Sequence, residues 1–191
     1  MAKKTYHHGA LRQALVDGAK EILAERGHEQ FSLNEVARRA GVSTAAPYRH
    51  FANREELLTA VAVEGYDLLY RTLGDAASGS DDPRERLLRM SGAYVRFAHD
   101  HRDLFVTMFH DERGDGPLGM ESFELLVTAV ASAQRAKVLS ANASAELMAR
   151  SIWAALHGIA ELMLRQPNKR FGLDAPPEEL AVTTLTTLLG L

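Results

Sequence analysis

The stretch that most constrains the fold of this chain is SLNEVARRAGVSTAAPYRHFANREELL, residues 32–58. Ser32 can cap a short helix, with Glu35 in capping-box position and Val36, Ala37 and Ala40 on one face. Gly41 supplies a tight turn, and Ser43 or Thr44 can cap a second short helix. Pro47 then sits where a longer helix would not tolerate it, because interior proline lacks an N–H, clashes with the preceding turn and costs roughly 3 kcal/mol. In a helix this short it falls in or near the first turn and sacrifices at most one ladder bond. The pattern predicts a helix-turn-helix.

In such a motif the second helix enters the major groove of duplex DNA and its first residues reach base edges. Ala45 and Ala46 then allow close backbone approach and contact with thymine methyls, while Pro47 stiffens the turn. Tyr48 and His50 can donate to phosphate oxygens, and Arg49 can reach a phosphate or a guanine edge. Tyr48 can equally pack within the motif, and Phe51 reads as core. Arg54 opens the next helix beside its N-terminal N–H groups, where a phosphate can bind. Lys3, Lys4, His7 and His8 suit an arm that touches the DNA backbone.

The rest of the chain reads as helices. Leu11, Leu15, Ala19, Ile22 and Leu23 fall at helical spacing before Gly27, and ANREELL opens a long helix running to about Leu73. Later helices are expected over about 119–138, 144–165 and 177–189. Period-2 alternation is nowhere sustained, so the expectation is an all-α protein of about nine helices, with a DNA-binding domain at 1–55 and a second domain at 56–191. Residues 1–55 carry nine Lys/Arg against six Asp/Glu, a balance of +3, while 56–191 carry 13 against 19, a balance of −6. Only the basic head is suited to a polyanion.

No apolar run approaches the roughly 20 residues of a membrane span, and the start MAKKTYHHGALRQ has no apolar signal core, which points to the cytoplasm and to no membrane partner. The absence of cysteine excludes disulfides and thiolate chemistry. His99 and Asp103 can share a helix face, but no H-E-x-x-H spacing, nucleophile elbow or glycine-rich phosphate loop is present, so no enzyme, metal or cofactor is expected. A metal-sensing regulator and a DNA-binding protein without effector are the alternatives.

The segment from HHGALRQ through PYRHFANREELLTAV resembles the DNA-binding head of TetR-family transcriptional regulators. That resemblance implies a two-fold dimer with its third helices in successive major grooves, and places Ser32, Ser43, Thr44, Ala45, Tyr48, His50 and Arg54 at DNA-contacting positions. Many relatives have glycine or lysine just after the cap, whereas this chain has TAAP, so base preferences do not carry over. YVRFAHDHRDLFVTMF and IWAALHGIAELML look like the subgroup whose ligand domain bears a Trp-His-Gly signature, here Trp153, His157 and Gly158.

In that second region Ile152, Leu156, Ile159 and Met163 form one apolar stripe, and Leu185 and Leu188 mark another on the final helix. The resemblance favours pairing of these two helices with those of a second copy. Met90, Tyr94, Phe97, Met108, Phe123 and Trp153 supply soft apolar walls for a partly apolar small-molecule effector, although each can also be core. His157 lies one turn from both Trp153 and Glu161, as a ligand-orienting group or as a core histidine satisfied by that carboxylate. The function expected is a repressor released from a palindromic operator by an effector.

Overall fold

The computed structural model describes residues 8–27, 31–110, 119–165 and 172–191. These form eight α-helices and one 3-10 turn, with no strand among the described residues: α1 His8–Arg26, α2 Leu33–Arg39, the 3-10 turn Pro47–Arg49, α3 Arg54–Ser78, α4 Pro83–Asp100, α5 Arg102–Phe109, α6 Met120–Arg135, α7 Ala145–Arg165 and α8 Pro177–Leu189. The chain is all-helical, as its spacing predicts. It clusters into two compact units, a head of described residues up to 65 with 103–110, and a body of 66–102 with the described residues from 119 onward. The boundary between these two units falls inside α3, and α5 lies almost wholly in the head unit.

The head is built around one apolar cluster. Leu15, Val16, Ala19, Ile22 and Leu23 of α1 meet Leu33 and Val36 of α2, Phe51, and Leu57, Leu58 and Val61 of α3, with Leu104 of α5 packed against them. Burying a large aliphatic or aromatic side chain contributes about 1.5–3 kcal/mol each, so this face decides which helices form. α3 begins with a reciprocal cap: Asn53 Oδ1 accepts from the Glu56 N–H at 2.9 Å, and Glu56 Oε2 accepts from the Ala52 N–H at 2.6 Å. Gly65 lets α5 approach α3, because a Cβ there would lie 2.7 Å from Met108 Cγ and Sδ. Ion pairs tie the surface together, with Arg39 of α2 meeting Glu21 at 3.1 Å and Glu25 at 2.6 Å, and Lys20 meeting Glu64 at 2.6 Å.

In the body, α4 packs against α6, α7 and α8. Gly92 lies at its contact with α8, where a Cβ would sit 3.3 Å from Glu178 Cγ. α7 corrects one sequence expectation, since by length and composition it is apolar enough to cross a membrane. The reason is that two of its faces are apolar. Ala149, Ile152, Leu156, Ala160, Met163 and Leu164 are buried in the chain's own body, whereas Leu147, Ser151, Ala154 and Leu162 are exposed.

Candidate DNA interface and effector site

The head motif is assembled by local hydrogen bonding. Ser32 caps α2 by accepting from the Glu35 N–H at 3.3 Å. Glu35 does not reach back to close a capping box; its carboxylate pairs with Arg26 and, at 3.1 Å, with Arg38. α2 ends at Gly41, whose φ of 68° is the left-handed region that favours glycine. The Gly41 N–H donates to Arg38 O at 3.2 Å and the Val42 N–H to Ala37 O at 2.9 Å, the crossed pair of a Schellman turn.

The second element is shorter than its sequence suggests. Instead of an α-helix capped by Ser43 or Thr44, the chain makes turns and then the 3-10 segment Pro47–Arg49, with Ala46 at the cap position and no side-chain cap. The cause is Pro47. It has no N–H to continue an α ladder onto Ser43 O, and that carbonyl accepts from the Ala46 N–H at 2.9 Å instead. The Arg49 N–H then reaches Ala46 O at 3.2 Å, and the His50 and Phe51 N–H groups share Pro47 O at 2.9 Å.

This geometry buries the Pro47 ring and presents Ser43, Thr44, Ala45, Tyr48 and Arg49 to solvent, Tyr48 being 55% exposed. Ala46 and His50 are half-buried. Arg54, at the start of α3, has its guanidinium carbon 5.7 Å from the Phe31 ring centre and one nitrogen 3.4 Å from Glu55. Ser32, Ser43 and Thr44 line one open groove of about 550 Å³, together with Asn34, Glu35, Arg38 and Val42. Sequence reading missed Asn34 and Arg38, although they follow from the Ser32 cap, which turns the next residues of α2 toward the same groove. Lys3 and Lys4 lie outside the described residues, as does the side chain of His8.

The head's positive balance is unevenly available. Lys20, Arg26 and Arg39 are committed to carboxylates, and the Glu25 and Glu21 hydrogen bonds hold the Arg39 guanidinium above its ordinary pKa. Arg49 and most of Arg38 remain exposed beside the groove.

In the body the structure brings together three of the sequence candidates. Tyr94 is buried at 5% exposure, and its hydroxyl lies 2.9 Å from His157 Nδ1 and accepts from Trp153 Nε1–H at 3.2 Å. An indole N–H only donates, so the Tyr94 oxygen accepts from it, while the direction of the Tyr94–His157 bond is set by the imidazole tautomer. Burial raises the Tyr94 pKa far above its ordinary value and lowers that of His157, with Glu161 opposing the latter. The Trp153 and His157 rings lie 5.5 Å apart. Tyr94 is invisible as a partner in sequence because it is 63 residues from His157.

The other ligand candidates scatter. Met90 and Phe97 are buried, Phe97 with its ring 4.9 Å from that of His101, and Phe123 is half-buried. Met108 is fully buried in the head unit, against Gly65, and does not belong to the body. Of the dimer candidates, Ile152, Leu156, Met163 and Leu185 are buried within their own chain, Ile159 is half-buried and Leu188 is 62% exposed. His99 Nδ1 sits 2.8 Å from Asp100, and no group of three potential metal ligands occurs among the described residues.

Comparison with known proteins agrees with this architecture. Residues 15–61 match the family described as bacterial regulatory proteins, tetR family, and residues 87–188 match the tetracyclin repressor-like C-terminal domain. The chain is 34% identical over 101 residues to the HTH-type transcriptional activator FasR of Mycolicibacterium smegmatis, covering 53% of this chain and 46% of that protein. It is 37% identical over 102 residues to the nicotine-responsive repressor HdnoR of Paenarthrobacter nicotinovorans, covering 53% and 47%. The chain spans about half the length of the curated relatives it matches. A solved structure of a protein with unknown function from Rhodococcus sp. RHA1 superimposes with a TM-score of 0.79 at 34% identity, covering 97% of this chain and 96% of the other. With a helix-turn-helix head matched at one end and a repressor-like body across more than half of its length, this chain belongs to the TetR family of bacterial regulatory proteins.

Proposed function

We propose that the protein is a sequence-specific, dimeric transcriptional regulator of the cytoplasm that represses from a palindromic operator and is released by a small-molecule effector. The observation that carries the reading is the exposed row Ser43, Thr44, Ala45, Tyr48 and Arg49, held over buried Pro47 beside the groove that also contains Ser32. Short side chains flanked by a phenol and a guanidinium suit close approach to base edges, with phosphate contacts at the rim. His50, Ala46 and Arg54 belong to the same set of DNA contacts, to which the sequence adds Lys3, Lys4 and His8. Relatives of both signs exist, FasR being an activator and HdnoR a repressor.

In this reading residues 1–55 bind DNA and 56–191 bind the effector and a second copy. The Trp-His-Gly signature supplies Trp153 and His157 to the effector site, with Tyr94 between them. The partner helix lies along the exposed face of α7 that carries Leu147, Ser151, Ala154, Gly158 and Leu162, next to Leu188 of α8. A Cβ at Gly158 would meet nothing within 4 Å, so the face is open to close helix approach. Effector binding shifts the dimer toward a state whose heads are misspaced for successive major grooves, by as much as its affinities for the two states differ.

Selection from random duplex DNA tests the proposal. The expected product is an inverted repeat with half-sites about one helical turn apart, bound by two chains. Recovery of no common sequence would overturn it.

A further inference from the structure

One face of α7 carries Trp153, His157 and Glu161 at successive i, i+4 positions, and Tyr94 of α4 backs it from inside. The arrangement is graded: Tyr94 is buried, His157 half-buried, the Glu161 side chain 27% exposed and Trp153 37% exposed. A ligand can therefore approach along the helix from outside and meet the ring faces first.

The polarity of this cluster is directional. The indole N–H of Trp153 is already given to the Tyr94 oxygen, and that hydroxyl is itself hydrogen-bonded to His157 Nδ1. The indole donor that would stabilise an anion is thus spent inside the protein. Besides the second ring nitrogen of His157, the stripe offers aromatic faces, negative by their quadrupole, and one carboxylate. The negative field of Glu161 reaches both Tyr94 and His157 and opposes ionisation of the phenol. The cation next to Glu161 is Arg165, whose Nε reaches Oε2 at 2.8 Å from a side chain that is largely in solvent. An anionic ligand would be desolvated beside a carboxylate, whereas a cation gains both the carboxylate and the rings.

We propose that Trp153, His157 and Glu161, backed by Tyr94, bind an organic cation: a protonated amine or quaternary ammonium group on an apolar frame. This rests on the reading of the body as the effector site and names the chemical class of the effector.

Trp153 is the only tryptophan in the chain, so its fluorescence reports directly on the stripe. The test titrates the full-length protein with three probes sharing a benzyl frame: benzyltrimethylammonium, benzyl alcohol and phenylacetate. The expected result is a saturable change with the ammonium probe, at least about tenfold tighter than with the alcohol, and weakest binding by phenylacetate. Glu161→Gln should weaken the ammonium probe by about tenfold and leave the alcohol unchanged. Glu146→Gln, which removes the same charge from an exposed position of the same helix, should leave all three unchanged. Equal or tighter binding of the alcohol or phenylacetate, no response to any probe, or an ammonium affinity indifferent to Glu161→Gln would overturn the proposal. Operator binding by the same preparation separates the two readings. If it persists while the probes fail, only the cation site is lost; if it is absent, the regulator reading itself fails.

Discussion

The head and the body handle polar groups in opposite ways. In the head, cations and carboxylates stay near the surface and pair across helices, Arg39 with Glu21 and Glu25 and Lys20 with Glu64, around an apolar cluster. In the body, a neutral chain runs inward from Trp153 through the buried Tyr94 hydroxyl to His157. Exposed pairs contribute little individually and are screened by salt, so the head is a platform whose shape comes from packing. A buried neutral chain fixes side-chain orientation.

That contrast is broken most easily at the head's core. Phe51→Ala should cost about 3–5 kcal/mol, because the ring is 1% exposed and carries the Arg12 guanidinium above it. Denaturant unfolding followed by circular dichroism measures this, and a loss below about 1 kcal/mol would show that the cluster does not hold the head. Next in size, Tyr48→Ala should weaken operator binding by about tenfold or more with helicity and dimerisation intact, and Arg49→Ala should lower the salt slope by about 1. Fluorescence anisotropy at several salt concentrations reads both; unchanged affinity removes the residue from the interface.

In the body, Trp153→Ala should cost only about 1–2 kcal/mol, less than a core tryptophan, since the ring is partly exposed and gives up one hydrogen bond. A cost of 4 kcal/mol in the same unfolding experiment would mean that the ring is core after all. Smaller still, Arg39→Ala should lose about 0.2–1 kcal/mol in spite of its two partners, and less in high salt. The last effect depends on pH. Burial lowers the folded-state pKa of His157 below its unfolded value, so the folded protein binds fewer protons there. The stability from this group is complete above the unfolded pKa of about 6.5 and is lost as pH falls toward the folded value. Thermal melts from pH 8 down to 5 should show that decline, and His157→Gln should flatten it.

The head was legible in the sequence because its determinants are local. Ser32 as a cap, Gly41 as the turn and the apolar spacing of α1 act within a few residues of themselves. The 3-10 form of 47–49 was not, because it depends on which donor takes the Ser43 carbonyl once proline cannot. In the body, Trp153 and His157 were legible as an i, i+4 pair, but their meeting with Tyr94 depends on α4 packing against α7. Ile152, Leu156 and Met163 marked a real apolar face of α7, yet spacing does not distinguish the face a helix turns to its own core from the one it leaves outside. Only burial separates them from Leu147, Ala154 and Leu162. Met108 shows the same limit between units, since no periodic pattern tells which unit a short helix joins.

The central claim is that the exposed row over Pro47 reads DNA as part of a dimer. The most direct measurement is a titration of the full-length protein against DNA from upstream of its own coding region and, failing a site there, against the selected repeat, with unrelated DNA of equal length as control. The account predicts binding at least about 1,000-fold tighter than to the control at physiological salt, with two chains per site. Affinity equal to the control on both the upstream and the selected DNA would contradict it.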